Sequence, residues 1–153
     1  MPFDIQVAST VRKPREIVAA VMLDPVHEPD WRHGVLDAVL LDDTPLRAGI
    51  RIERLTRSKG LEQTDVAEVL ELAPGRFLER VVHKPFWMKI RYDLKGIPEG
   101  TIARVRMRGR CPWYYAILGP VVTWRLRQAA IRDLAALKYL LESNDYRELL
   151  GGT

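Results

Sequence analysis

The stretch that decides the fold is VVTWRLRQAAIRDLAALKYLLE, residues 121–142. Its apolar residues recur at steps of three or four, at Val122, Leu126, Ala130, Leu134, Leu137 and Leu141. This spacing predicts one face of an α-helix. The opposite side carries Arg125, Arg127, Gln128, Arg132 and Asp133. A helix of about 24 residues at about 1.5 Å each is roughly 36 Å long, enough to cross a whole sheet.

The segments before this helix alternate apolar and polar residues. Residues 3–11 predict a half-buried strand, and residues 15–23 predict a short amphipathic helix behind Pro14. The corner LDPVHEPDWRHGV, residues 23–35, follows, and its two prolines permit only short helical turns.

From residue 35 onward, turn signals recur about every ten residues, which predicts an antiparallel meander of six strands. In WMKIRYDL, residues 87–94, the alternation places Met88, Ile90, Tyr92 and Leu94 on the concave face. In residues 101–111, Arg104, Arg106, Arg108 and Arg110 occupy every second position. Residues 144–153 predict a last turn and a free end.

The order of elements is therefore one strand, two short helices, six strands and one long helix. It predicts an α+β fold in a single domain, residues 1–153, with a curved antiparallel sheet of about seven strands wrapped around the C-terminal helix. Because one helix cannot fill a curved sheet at every point, we expect an apolar cavity between them. A cavity of this kind indicates ligand binding.

The bulk composition excludes several classes of protein. With 47% hydrophobic and 29% charged residues, the chain is typical of a globular protein. It lacks an apolar run long enough to cross a membrane, and its start, MPFDIQVAST, does not resemble a signal peptide. The single Cys111 excludes an intrachain disulfide and a zinc site built from cysteines, so we expect a cytoplasmic protein.

The chain resembles the START-related, or helix-grip, superfamily (also called SRPBCC). The residues that carry the resemblance are Pro14 with Ile17 and Val18, the segment Asp24–Pro25…Pro29–x–Trp31, and the closing LAALKYLLE. Val18 departs from the family, since many members carry a bulky aromatic residue there. The resemblance implies a hydrophobic ligand in the sheet–helix cavity. It also implies relatives that cyclise and dehydrate polyketides and others that carry lipids or quinones.

Three residues are candidates for catalysis. Tyr92 could orient a carbonyl or enol, or be a core tyrosine bonded to the backbone. His83 could transfer protons if Phe77 and Val81 face inward, but the opposite strand phase would place it in solvent. Glu68 could be a buried carboxylate with a raised pKa, or an exposed residue at a strand edge.

Eight residues are candidates for binding the ligand: Trp31, Met88, Ile90, Met107, Trp113, Tyr114, Leu126 and Ala130. Trp31 could instead plug one end of the core. The aromatic residues at positions 113–115 could gate the cavity, anchor the protein at a membrane, or cap the core. His27 and His33 have no third clustered ligand, so we expect no metal site. We also expect no cofactor, because the sequence has no glycine-rich phosphate loop.

Positive charge is concentrated in one part of the chain. Residues 76–127 contain 12 Lys or Arg against 3 Asp or Glu, a local charge of +9. Arg104, Arg106 and Arg108 should lie on the convex face of the sheet, either solvated with cross-strand partners or in contact with an acyl carrier protein or an anionic membrane. Nucleic acid is disfavoured because no stacking aromatics share that face. A homodimer is possible.

Three functions fit this sequence. The first is a polyketide cyclase/dehydratase-like enzyme that folds a poly-β-ketone into one conformer, assisted by Tyr92, His83 or Glu68. The second is a carrier that binds a lipid or quinone without changing it. The third is an interaction module with a filled core.

Overall fold

The computed structural model describes residues 2–42, 45–83 and 86–143. The expected last turn and free end at residues 144–153 lie outside the described residues.

Strands and helices occur in the predicted order. The strands are β1 Pro2–Val11, β2 Val35–Leu40, β3 Arg51–Ser58, β4 Leu61–Ala73, β5 Phe77–Val82, β6 Met88–Ile97 and β7 Gly100–Arg110. The α-helices are α1 Arg15–Met22 and α2 Gly119–Glu142, and two 3₁₀ helices span Pro25–Asp30 and Trp113–Leu118.

Within the described ranges, the strands form one antiparallel seven-stranded sheet in the order β1-β7-β6-β5-β4-β3-β2. Strands β2 to β7 pair in sequence as a meander, and β1 pairs along its whole length with β7. The two short helices after β1 carry the chain from one edge strand, β1, to the other, β2. The predicted α+β architecture is therefore confirmed.

The turn between β6 and β7 depends on a glycine. Gly100 has φ +150°, and a Cβ atom built on it would lie 2.2 Å from the carbonyl oxygen of Val11. The next residue, Thr101, donates its hydroxyl to the carbonyl oxygen of Lys13 at 2.8 Å. The end of β1 therefore approaches this turn so closely that there is no room for a side chain at position 100.

Helix α2 lies over the sheet with its apolar face buried, as predicted. Leu134, Leu137 and Leu141 are buried, and Lys138 donates its Nζ to the carbonyl oxygen of Thr10 at 2.5 Å. The placement of Asp133 on the exposed side of this helix was wrong, because the residue is only 5% exposed. It lies three residues after Ala130 and four before Leu137, which puts all three on one face.

The faces of β6 and β7 follow the predicted alternation. Met88, Ile90, Tyr92 and Leu94 are buried on the concave face. On the convex face, Arg106 forms a bidentate pair with Asp4 at 2.9 and 2.5 Å, and Arg108 donates to Glu79 at 3.1 Å. Arg104 is exposed. We considered contact of three convex arginines with a carrier protein or a membrane. Two of the three instead pair with carboxylates on other strands of the sheet.

Candidate functional site

The proline-rich corner turns a carboxylate into the core. Asp24 accepts a hydrogen bond from the backbone N–H of Val26 at 3.1 Å, which caps the first 3₁₀ helix, and Pro25 begins that helix. One turn later, Glu28 is only 2% exposed. The two prolines and the cap therefore set the direction in which Glu28 points.

Three arginines from different elements converge on Glu28. Arg32 donates to its Oε1 at 3.0 Å and Arg54 of β3 donates to the same atom at 3.2 Å. Arg80 of β5 donates to both oxygens, with 3.0 Å from Nη1 to Oε2. Charge-assisted contacts of this kind are the strongest hydrogen bonds in proteins. Glu28 thus ties the corner to the middle of the sheet.

These charges determine the ionisation of Glu28. Burial by itself raises the pKa of the carboxyl. The guanidinium of Arg80, together with those of Arg32 and Arg54, lowers the pKa by a larger amount. The net result is a pKa of about 2, against an ordinary value of 4.5. Burial is also the main reason why the pKa of Arg54 is lowered, followed by repulsion from Arg80.

Two more carboxylates balance the arginines. Arg54 donates to Asp65 of β4 at 2.8 Å, and Arg32 donates its Nε to Asp133 of α2 at 3.1 Å. The other oxygen of Asp133 accepts from the backbone N–H of His33 at 3.0 Å. Since three guanidinium charges face three carboxylates, the cluster as a whole is neutral, which makes its burial tolerable.

The phenol of Tyr92 completes this ionic cluster on the side of the long helix. Its oxygen accepts from Arg32 at 2.7 Å and from Arg80 at 2.9 Å. A phenol oxygen with two donors already on it still has its own O–H to donate. Tyr92 is therefore set up to give a hydrogen bond rather than to receive one.

A cavity of about 50 Å³ lies between β6, β7 and α2, next to this phenol. Its walls are Trp31, Arg32, Ile90, Tyr92, Val105, Met107, Leu126, Ala129, Ala130 and Asp133. Sites that enclose drug-sized ligands usually measure about 300–1,000 Å³. The expected cavity is present, but in this state it has room only for water or a small chemical group.

The polar end of the cavity offers hydrogen-bond donors. Besides Tyr92, Trp31 is a wall residue that is only 3% exposed, and its indole Nε1 has no hydrogen-bond partner among the residues that the structure describes. The two rings pack edge to face with 5.7 Å between centroids. Because this nitrogen is itself enclosed by protein atoms, a ligand in the cavity would reach it only after the ring moved.

The structure brings together six of the residues singled out from the sequence. All six line the cavity: Trp31, Ile90, Tyr92, Met107, Leu126 and Ala130. Met88 is buried in the core but is not part of the cavity wall.

Four other candidates lie elsewhere. His83 is exposed because β5 adopts the phase with Leu78 and Val82 buried on the concave face. Glu68 is exposed, since its neighbours Ala67 and Val69 take the inward positions of β4. Of the two alternatives for Glu68, the structure has the exposed one.

The aromatic pair Trp113 and Tyr114 is also on the surface. The two side chains are 85% and 61% exposed, respectively. They neither line the cavity nor cap the core, which leaves a surface role for them.

Sequence reasoning missed the ionic cluster, although part of the signal was present. Arg54 follows Ile52 and Asp65 precedes Ala67 in strict alternation, so each charge occupies an inward position. Glu28 carried no such signal, because its burial depends on the geometry of the corner.

Two other features are absent from residues 2–42, 45–83 and 86–143. No group of three or more His, Cys, Asp or Glu residues there is placed to hold a metal ion. No helix in the same ranges has the length and apolar character needed to span a bilayer.

Several solved structures have a fold similar to that of this chain. The protein NE0264 from Nitrosomonas europaea aligns with a TM-score of 0.75 at 14% identity, over 93% of this chain and 96% of that one. The di-domain ARO/CYC StfQ from the steffimycin biosynthetic pathway aligns with a TM-score of 0.78 at 13% identity, over 95% of this chain. The chain spans about half of StfQ, 52%.

A third similar structure is Ara h 8.0201, with a TM-score of 0.70, 12% identity, and coverage of 93% of this chain and 99% of that one. No family model and no curated protein matches the sequence. The chain thus has the helix-grip fold, which it shares with ARO/CYC proteins and Ara h 8.

Proposed function

We propose that this protein binds a small molecule with an apolar body and an oxygen-bearing end in the cavity between the sheet and α2. The observation that carries the proposal is the Tyr92 phenol, which lines the cavity while two guanidiniums occupy its oxygen. Its remaining O–H suits an acceptor such as a carbonyl. The apolar walls suit the rest of the ligand.

The size of the cavity limits how the ligand sits. A volume of about 50 Å³ holds the oxygen-bearing end and little more. A larger body requires the wall to move. The wall residues on α2 are the half-buried Leu126 and Ala129 and the buried Ala130 and Asp133. We therefore propose that α2 shifts outward when the ligand enters.

The enzymatic form of the proposal is cyclisation and dehydration of a poly-β-ketone. The enol form of one ketone forms a carbon–carbon bond to a second carbonyl carbon, and the enol proton passes to the new alkoxide. Loss of that hydroxyl with a neighbouring C–H proton releases water and leaves a double bond. Tyr92 would hold the carbonyl oxygen through its O–H, and the walls would fix the conformer.

The second candidate is a carrier that binds the same ligand without changing it. One observation favours it: Asp133, a carboxylate in the cavity wall, already bonds Arg32 and the backbone of His33. Each oxygen of that carboxylate already accepts a hydrogen bond from the protein, so neither is reserved for a ligand. Binding needs no base, whereas enolisation of a ketone does.

Native mass spectrometry of freshly purified protein tests the binding. We expect a retained small molecule that contains oxygen, and we expect Tyr92→Phe to retain less of it by about fivefold or more, because the donor is lost. Tyr139→Phe is the matched control, since that tyrosine is 72% exposed on α2. Equal retention by all three proteins would contradict the proposed site.

Incubation with a poly-β-ketone separates the two candidates. An enzyme changes the product distribution relative to the spontaneous reaction, and Tyr92→Phe abolishes that change. A carrier binds the polyketide or another apolar ketone, and the products remain those of the spontaneous reaction.

A further inference from the structure

The junction between β7 and α2 carries a concentration of exposed apolar side chains. Six large residues of the second 3₁₀ helix and the first turns of α2 are exposed by 48% to 93%: Trp113, Tyr114, Ile117, Leu118, Val121 and Trp124. We call these six residues the junction patch. Exposed apolar side chains grouped in this way mark a surface that meets another surface.

The chain around the junction patch is purely basic. Residues 100–132 contain no Asp or Glu, and three of the arginines in this segment, Arg125, Arg127 and Arg132, are on α2. Arg125 and Arg127 are exposed on α2 directly beside Trp124. The charge therefore favours a partner that is anionic.

We propose that the junction patch docks on the surface of an anionic lipid bilayer. Tryptophan and tyrosine prefer the interface between headgroups and acyl chains, where an amphipathic ring has one apolar and one wet side. Isoleucine, leucine and valine would enter the acyl boundary, and neighbouring arginines would contact lipid phosphates. Docking of this kind is peripheral.

A second copy of the chain fits this surface less well. A two-fold dimer places the same patch on itself, so Arg125 and Arg127 of one subunit would face the same arginines of the other. Like charges opposed at an interface cost free energy. A bilayer of anionic lipid meets the same arginines with the opposite charge.

The structure also moves the candidate membrane surface away from the convex face of the sheet. Arg106 and Arg108 have Asp4 and Glu79 as partners there, which reduces the positive charge available to lipid. The junction patch combines a group of large exposed apolar side chains with neighbouring arginines, whereas two of the convex arginines are already paired with carboxylates.

The junction patch lies on the half of α2 that also covers the cavity. Leu126 and Ala130 line the cavity from the same helical turns that carry Val121 and Trp124 outward. Docking at this half would bring the bilayer close to the cavity roof. The docking proposal does not rest on the proposed function, because it requires only the exposed patch and its charge.

Vesicle flotation with the full chain tests the docking. We expect the protein to float with vesicles of phosphatidylcholine mixed with phosphatidylglycerol and to float much less with phosphatidylcholine alone. Replacing both indoles, Trp113→Ala with Trp124→Ala, should weaken binding by about tenfold or more. Tyr139→Ala, a residue equally exposed at the far half of α2, should bind as the wild type does.

A second pair of variants tests the charge. Arg125→Glu should weaken binding by about fivefold or more, whereas Arg104→Glu, on the exposed convex face, should change it far less. Both arginines are on the surface, so both variants should keep the circular dichroism and thermal transition of the wild type.

Three outcomes would overturn the proposal. The first is equal flotation with both kinds of vesicle. The second is loss of binding with Arg104→Glu but not with Arg125→Glu. The third is a stable dimer, measured by light scattering, that becomes a monomer in the double variant Trp113→Ala with Trp124→Ala while flotation is unchanged. That result would make the junction patch a subunit interface.

Discussion

At the scale of single residues, Glu28 is the residue that joins all three arginines of the ionic cluster. Its carboxylate is shared by Arg32, Arg54 and Arg80, which come from the corner, β3 and β5. Two of these arginines also fix the phenol of Tyr92. A change at Glu28 therefore acts on the direction of the Tyr92 hydroxyl through the guanidiniums.

Glu28→Gln should destabilise the protein by about 3–5 kcal/mol, because the buried Arg54 and Arg80 and the half-buried Arg32 lose their common counter-charge. Urea unfolding at neutral pH measures the loss. The control is Glu62→Gln, since Glu62 pairs with Arg57 on the surface. That substitution should change the free energy of unfolding by less than about 1 kcal/mol.

The same carboxylate gives stability a defined pH dependence. The pKa of Glu28 is about 2 in the folded chain and 4.5 when unperturbed, so its contribution is complete above pH 4.5 and is lost as the pH falls towards 2. The lowered pKa corresponds to about 3 kcal/mol.

The gap in unfolding free energy between wild type and Glu28→Gln should therefore narrow between neutral pH and pH 3. A gap that stays constant over this range would contradict the ionic account of Glu28.

At the scale of elements, the sheet and the corner hold each other in place through close backbone contacts. The turn between β6 and β7 touches the end of β1, where Gly100 lies against the carbonyl oxygen of Val11. The chain then enters α1, which leads to the corner that carries Glu28 and Trp31. The end of β1, from which the chain enters α1 and then the corner, is thus held against the β6–β7 turn.

Gly100→Ala should destabilise the protein by about 2 kcal/mol or more, because φ is +150° and the new Cβ would overlap backbone atoms. Gly96→Ala is the matched control in the same strand pair, since no atom lies within 4 Å of a Cβ built there. Thermal unfolding compares the two variants. Equal melting temperatures would show that the β6–β7 turn relaxes freely away from β1.

At the scale of the whole molecule, the sheet and α2 enclose the cavity with an uneven lining. Ile90, Val105 and Met107 form the apolar part on the sheet, and Tyr92 with Arg32 forms the polar part beside the corner. A ligand in this space would be oriented by the contrast between its two ends.

Filling the cavity should remove binding without removing the fold. Ala130→Leu adds apolar volume at the wall, so we expect the variant to lose the retained small molecule while its stability changes by less than about 3 kcal/mol. Ala135→Leu adds the same volume on the exposed side of α2 and should retain the ligand. Native mass spectrometry measures the retained ligand, and a thermal scan measures stability. Undiminished retention by Ala130→Leu would show that the ligand binds elsewhere.

The sequence by itself determined the order of elements, the meander and the inward phase of β6. Periodicity is a local property, so Ile90, Tyr92, Met107, Leu126 and Ala130 could each be assigned to an inward face before the structure was known.

Only the tertiary structure decided which charges are buried together. Glu28, Arg80 and Asp133 come from three elements that are distant in the chain, and each is tolerated inside only because the others arrive at the same place. The phase of β5, and with it the exposure of His83, was open for a related reason. That strand is buried on both sides, so its residues carry no alternation that distinguishes one face from the other.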